Sequence, residues 1–485
     1  MQTLLMFLFP IVGMLVVRLL SDSKSTKRAA LLLSLVSLAD TIWKLSMFNP
    51  AGGVQFLFDQ YWVENLGISF KFGLDGVGLV MVLLTNALVP LIIYSSFDRE
   101  IKDFKNYFSL IFLMQFALLG VFSSLDGFLF YVFWELALIP IWFICLLWGG
   151  QDRIRITLKF FIYTLSGSLL MLVGLIYLYL QTPGTHSFDI NSFYALALNQ
   201  EQQSWLFWAF FAAFAIKIPI FPLHTWQPDT YTTAPTQGTM LLSGIMLKMG
   251  LYGIIRWMIP VIPLGVEEWS WLAISLAVIG IIYSSAMAIA QKDFKRLIAY
   301  SSIAHVGLIA AGIFSLNIMG LQGAVFQMIS HGVNAVGLFF IADILMHRMN
   351  DRNMNEMGGI AHRSNPFAIG FMIILLGSVA LPLTNGFIGE FMLLSGLFSF
   401  SGWVAMFAGL TVIFGAVYML RAYQKIMLGG ETDASASFEP LTINEKVLLG
   451  IISVIVIITG IYPKPLLDIA GPSLQAILDQ AGVNI

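Results

Sequence analysis

The sequence predicts an all-α polytopic membrane protein of about fourteen transmembrane helices, on three observations. Of 485 residues, 58% are hydrophobic and only 11% charged, with mean hydropathy +0.85. A soluble domain is closer to half apolar and a quarter charged, so this surplus needs lipid as its solvent. The apolar residues gather in runs of the roughly 20 residues that a bilayer-spanning helix requires. Finally, Lys and Arg alternate between rich and poor from one loop to the next.

The runs lie near 3–20, 29–47, 74–95, 106–123, 126–148, 157–180, 204–229, 235–258, 270–290, 297–315, 319–346, 366–397, 402–427 and 443–462. The first, Leu4 to Val17, has no basic leading region and no clean small-residue cleavage site, so it reads as a retained helix. Runs 204–229 and 366–397 are long and contain internal breakers. The connections are short; 48–73 is the longest external loop, followed by 181–203 and 429–441, and 464–485 reads as an external amphipathic tail. The chain is therefore one membrane domain, with N-terminal helices in 1–105 and a C-terminal helix and tail in 428–485.

Of the 25 Lys and Arg, 19 follow odd-numbered runs, 4 follow even-numbered ones, and Lys217 and Lys248 lie inside runs. Basic loops favour the cytoplasmic side, which puts both termini outside. A miscounted helix would scramble the alternation downstream of the error.

Several chemistries are excluded. Cys145 is the one cysteine, so an internal disulfide, a CxxC redox pair and an iron–sulfur cluster held by this chain are ruled out. There is no HExxH and no GxxxxGK[ST]. The net charge of −2 gives no indication of a nucleic-acid partner. The 40 Phe and 12 Trp read as lipid-facing packing and interfacial belt.

The informative residues are charges inside the runs. An ionisable group at mid-bilayer costs roughly 2.5–3.5 kcal/mol on insertion scales, and such groups mark ion or proton pathways. Glu135, Lys217, Lys248 and Glu390 together would cost on the order of 10 kcal/mol if unpaired. Glu135 sits in FYVFWELALIP, one residue before a carbonyl, that of Leu136, to which Pro140 cannot donate. Its plainer reading is a structural interhelical pair. Lys217 precedes Pro219 and Pro222, and broken helices are tolerated only where they line a cavity or are buried in protein. Lys248 has Gly244 a turn before it and Gly250 and Gly253 after it, leaving room for water or close helix approach. Glu390 follows Pro382, Gly386 and Gly389 in a second broken run.

Histidines add sites that titrate near neutrality. His305 and His331 are mid-run; Ser301 lies one turn before His305. Gln327, His331 and Asn334 fall at i, i+4 and i+7, on one face. A lone membrane histidine is otherwise an interhelical hydrogen bond. His224 reads equally as gate or scaffold, and His186, His347 and His362 as loop or helix-end residues. Asp229 ends the first broken run as a cap or pair, whereas Asp75 and Asp343 read as interfacial.

WELALIP, KIPIFPLHTWQPD, TQGTMLLSGIMLKMGLYG, KDFKRLIAYSSIAHVG and GFIGEF resemble the antiporter-like membrane subunits of respiratory complex I and of Mrp-type cation/proton antiporters, across about residues 70–427. The resemblance implies two inverted five-helix repeats, 106–258 and 270–427, with broken seventh and twelfth helices. It implies that Glu135 modulates Lys217, that Lys248 is the central lysine, that His305 and His331 continue the axis and that Glu390 ends it. Pro219, Pro222, His224, Tyr252, Gln327, Asn334 and Pro382 fall in supporting positions. Glutamate at the place of Glu390 is typical of the M-type branch, where other branches carry lysine. The implied function is proton translocation within NADH:quinone oxidoreductase in a bacterial plasma membrane, beside L-type and N-type neighbours. No cofactor is expected in this chain; FMN, iron–sulfur clusters and quinone are expected in partner subunits. The alternatives are an Mrp-type Na⁺/H⁺ antiporter subunit, which sodium dependence would reveal, and an inert membrane scaffold, whose buried charges would mutate without effect.

Overall fold

A computed structural model describes residues 2–436 and 438–482. The helices used below are α1 (Gln2–Leu19), α2 (Ser23–Met47), α3 (Gly76–Tyr94), α4 (Phe104–Ser123), α5 (Gly127–Trp148), α6 (Arg153–Gln181), α7 (Gln200–Lys217), α8 (Gln227–Thr233), α9 (Thr236–Met258), α10 (Pro263–Ala290), α11 (Phe294–Phe314), α12 (Ile318–Met349), α13 (Asn365–Ser378), α14 (Asn385–Phe400), α15 (Gly402–Met427), α16 (Ile443–Ile461) and α17 (Lys464–Gln480). Among the described residues, twelve uninterrupted helices are long and apolar enough to cross a membrane. The other two expected crossings are the interrupted ones, so a total of fourteen counts α7 with α8, and α13 with α14, as one crossing each.

Burial sorts these helices. The 18-residue apolar windows of α9 and α11 are 100% buried and that of α12 is 94% buried, while those of α2 and α15 are 28% buried. The central helices face protein on all sides; the peripheral ones turn Leu, Ile, Val and Phe outward, as lipid as solvent requires.

The two breaks have local causes. Pro219 lacks the N–H that would bond the Ala215 carbonyl, and Ile220 reaches back five residues to take it at 2.7 Å. The freed Ile216 carbonyl accepts instead from the Trp226 indole N–H at 2.9 Å. In the second break, Leu381 reaches back to Leu376 at 3.0 Å, and the Thr384 hydroxyl bonds the Leu381 carbonyl at 2.6 Å. Ala380 and Leu383 flank Pro382 at φ 56° and 73°. Left-handed conformations are costly for such side chains and persist only where the surroundings hold them.

The structure adds to the sequence reading at one loop, the tail and one lysine. The loop 48–73 contains an antiparallel hairpin, β1 (Gln55–Val63) and β2 (Ile68–Leu74), whose turn residue Gly67 has φ 58°. Its alternation is hidden because β1 is largely exposed and carries two register irregularities. The tail, expected to be amphipathic, is a helix with one face buried on the bundle. α17 buries Ala470, Leu474, Ile477 and Leu478 against α3 and α12, and the Ser473 hydroxyl accepts from the Gly76 N–H at 2.8 Å. Lys44, counted with the external loop, is fully buried on α2 and pairs with Asp40 one turn earlier.

Candidate functional site

α9 is the centre of the site because it is wound irregularly. Between Leu242 and Met246 it opens into a π turn, where the Leu247 N–H reaches back five residues to the Leu242 carbonyl. Such turns occur mostly singly within α-helices and often at functional sites. The Lys248 ammonium folds back onto this turn and donates to the Ser243 carbonyl at 2.5 Å. Its second partner is Nδ1 of His331, at 2.9 Å on α12. An ammonium has only donors, so with Lys248 charged His331 accepts at Nδ1 and carries its proton on Nε2. That nitrogen faces the Ser302 hydroxyl at 3.1 Å.

A close helix crossing makes this contact possible. A Cβ built on Gly332 would lie 2.8 Å from the Gly244 carbonyl, so α9 and α12 meet backbone to backbone one residue from His331. The same device recurs at α14, where a Cβ on Gly389 would meet Gln327 Cβ at 2.8 Å. There Glu390 Oε1 receives His305 Nδ1 at 2.8 Å and Gln327 Nε2 at 3.2 Å. Asn334, the third residue of the polar face, donates to the Asn385 side chain at 3.0 Å and so holds the start of α14 to α12.

His305 and His331 stand 6.3 Å apart by ring centroids. Between them lies a cavity of about 20 Å³, lined by Ser301, Ser302, His305, Gln327, His331 and Asn334 among others. That is room for about one water with several polar partners. His305 Nε2, Glu390 Oε2, Gln327 Oε1 and Asn334 Oδ1 have no protein partner there. The arrangement can pass a proton between basic and acidic groups over short steps in an otherwise apolar interior.

Lys217 and Glu135 are placed differently. Lys217 ends α7 at the break, 2% exposed, with Nζ 5.3 Å from the centre of the Trp134 ring. Among the described residues no ion pair joins it to Glu135, and neither Lys217 Nζ nor Glu135 Oε1 has a hydrogen-bond partner. Both flank Trp134, Glu135 as the next residue and Lys217 across its ring, without direct contact. His224 stacks on Phe221 and lies beside Tyr283, away from the Lys248 network. Tyr252 also falls outside it. Its hydroxyl donates to the Phe122 carbonyl at 3.1 Å and lies 3.4 Å from Arg256 Nε.

Asp75 and Asp343, read as interfacial, are both ion-paired within the protein. Asp75 caps α3 and binds Arg256 at 2.5 Å, and Asp343 binds Arg99 at 2.8 Å. Asp229 pairs, as one of its two readings had it, with Lys159 and Arg296, each at 3.2 Å. Sequence reasoning missed Ser302, Ser243 and Asn385. Ser301 and Ser302 precede His305 by four and three residues, and helical spacing alone cannot choose between them. In the structure Ser301 instead meets the Tyr418 hydroxyl at 3.0 Å.

The sequence model described as "NADH:quinone oxidoreductase/Mrp antiporter, TM" matches residues 124–415, more than half of the chain. The chain belongs to this family. It is 40% identical over 482 residues to NADH-quinone oxidoreductase subunit M of Rickettsia conorii, covering 97% of each. It is 38% identical over 467 residues to the protein of the same name from Rhodobacter capsulatus, covering 94% of this chain and 91% of that one. Among solved structures, a chain of respiratory complex I from Thermus thermophilus superimposes with TM-score 0.90 at 30% identity, covering 99% and 100% of the two chains. A chain of the Mrp complex from Dietzia sp. superimposes with TM-score 0.85 at 18% identity, covering 98% and 97%, which is a likeness of fold.

Proposed function

We propose that this chain is a proton-translocating membrane subunit of an NADH:quinone oxidoreductase, of the M type, and that its buried polar line is the path. The observation that carries the reading is the pair of hydrogen-bonded groups Lys248–His331–Ser302 and His305–Glu390, buried at the crossing of α9, α11, α12 and α14 with a water-sized cavity lined by both histidines. Lys248 alternates between ammonium and amine, His331 relays through its two nitrogens, and Glu390 receives from His305. Lys217 loads the line, and Glu135 tunes it by charge through the apolar region they share. One interrupted helix lies in 106–258 and one in 270–427, which supports reading these ranges as the two repeats. L-type and N-type subunits flank the chain, and FMN, iron–sulfur clusters and quinone reside in partner subunits, whose electron transfer drives the switching. The basic loops face the cytoplasm of a bacterial plasma membrane and both termini face outward.

The test is Lys248→Met in the assembled enzyme, with pumped protons per electron as the readout. The shape is kept and the titrating group lost, so the ratio falls while the assembled enzyme is retained. An unchanged ratio refutes the role, and a ratio that depends on sodium favours cation antiport instead.

A further inference from the structure

Two openings on the basic face converge on the junction of α8 and α9. One, of about 740 Å³, is bordered by Arg99, Lys102, Arg153, Trp148, Thr236 and Asp343. The other, of about 490 Å³, is bordered by Lys295, Arg352, Trp148 and Thr236. Thr236, the first residue of α9, borders both. Both signs of charge stand on these rims, and of the carboxylates Asp343 is the one hydrogen-bonded to α9; its side chain is 13% exposed. Its Oδ1 accepts from the Thr236 hydroxyl at 2.6 Å and its Oδ2 from Arg99 at 2.8 Å.

From there α9 carries a stripe of hydroxyls inward. Thr236, Thr239 and Ser243 fall at i, i+3 and i+7, on one face and buried. Seven residues of helix span roughly 10 Å. The Thr239 hydroxyl donates to the Tyr231 carbonyl at 2.9 Å and the Ser243 hydroxyl to the Thr239 carbonyl at 2.9 Å, and the Ser243 carbonyl is the acceptor of the Lys248 ammonium. The stripe thus runs from the solvent-facing carboxylate to the central lysine without passing Lys217.

Arg99 has a second carboxylate partner at the same time, which suits it to a gate. While its Nε holds Asp343, its Nη2 lies 3.2 Å from Glu445, which Arg348 also holds at 2.6 Å. When Asp343 takes up a proton, Arg99 keeps a carboxylate without moving far.

We propose that Asp343 is a proton-uptake carboxylate, a second port on the basic face that feeds Lys248 along the Thr236–Thr239–Ser243 stripe. The inference rests on the pumping role assigned to Lys248 above and adds a port to it. The step is a protonation of the Asp343 carboxylate from solvent, release from Arg99, and transfer of that proton by water along the stripe to the Lys248 amine. Asp343 then returns to its ion pair with Arg99.

The experiment uses the assembled enzyme in closed vesicles. Asp343→Asn keeps the hydrogen bond to Thr236 and leaves Arg99 on Glu445, so the expected result is normal assembly with proton uptake slowed at least about tenfold. Asp343→Glu restores uptake. Adding a small membrane-impermeant weak acid, admitted by the 740 Å³ opening, raises uptake in Asp343→Asn but not in wild type. A purely structural ion pair gives no such rescue, and its absence with slow uptake overturns the proposal. Thr236→Val, which removes the next hydroxyl, slows uptake without weak-acid rescue. Wild-type uptake in Asp343→Asn, while Lys248→Met still fails to pump, removes this port and leaves the function intact. Normal pumping in both variants removes the function itself.

Discussion

Gly389→Ala tests whether the pump depends on a backbone crossing and not only on its titrating groups. The new methyl would lie 2.8 Å from Gln327 Cβ and 3.0 Å from its Cα, where ordinary contact is 3.4–4 Å. The Gln327 amide oxygen, at 2.3 Å, can swing aside, but its Cβ and backbone cannot. α14 must therefore withdraw from α12 by on the order of 0.5–1 Å, at a cost of about 1–3 kcal/mol for overpacking. Glu390 is the next residue and moves with it. Its 3.2 Å contact to Gln327 is lost and its 2.8 Å contact to His305 is stretched. Hydrogen bonds to charged groups contribute about 1.5–3 kcal/mol. Placed on the transfer barrier, a loss of that size slows the step by roughly 10- to 100-fold. The assay is NADH-driven proton uptake per electron in vesicles holding the assembled enzyme, with the infrared carboxyl band reporting the hydrogen bonding of Glu390. Gly450→Ala is the control, because a methyl there meets nothing within 4 Å. The reasoning fails if Gly389→Ala pumps like wild type, or if Gly450→Ala is equally damaging.

Two further predictions concern stability. Asp75→Asn keeps the cap of α3 but leaves Arg256 buried without its counter-charge, so the thermal stability of the detergent-solubilised enzyme falls by about 3–5 kcal/mol. The double variant with Arg256→Met recovers much of the loss, and pumping per assembled enzyme stays at the wild-type level. Trp226→Phe removes the indole N–H that satisfies the Ile216 carbonyl, which costs about 1–3 kcal/mol. Faster amide exchange confined to residues 215–226 is the expected signature, and uniform exchange across the bundle contradicts it.

What the sequence settled by itself is the solvent and the inventory. Runs of apolar residues can bury their backbone polar groups in lipid only as helices, so composition and spacing fixed the class of fold. Charges too costly to leave at mid-bilayer without a role selected Glu135, Lys217, Lys248 and Glu390, and helical periodicity put Gln327, His331 and Asn334 on one face. Proline placement located both breaks, because a missing N–H acts locally. The tertiary structure decided which of these residues meet. Lys248 reaches His331 because a π turn redirects it and because Gly244 and Gly332 let two backbones touch. Glu390 meets His305 because Gly389 lies against Gln327. Tyr252 instead lies against Arg256, which Asp75 holds, and Asp343 borders an opening formed by segments distant in sequence. Contacts of this kind depend on helix crossings a few tenths of an ångström from a clash, and no one-dimensional pattern of hydropathy or charge encodes that distance.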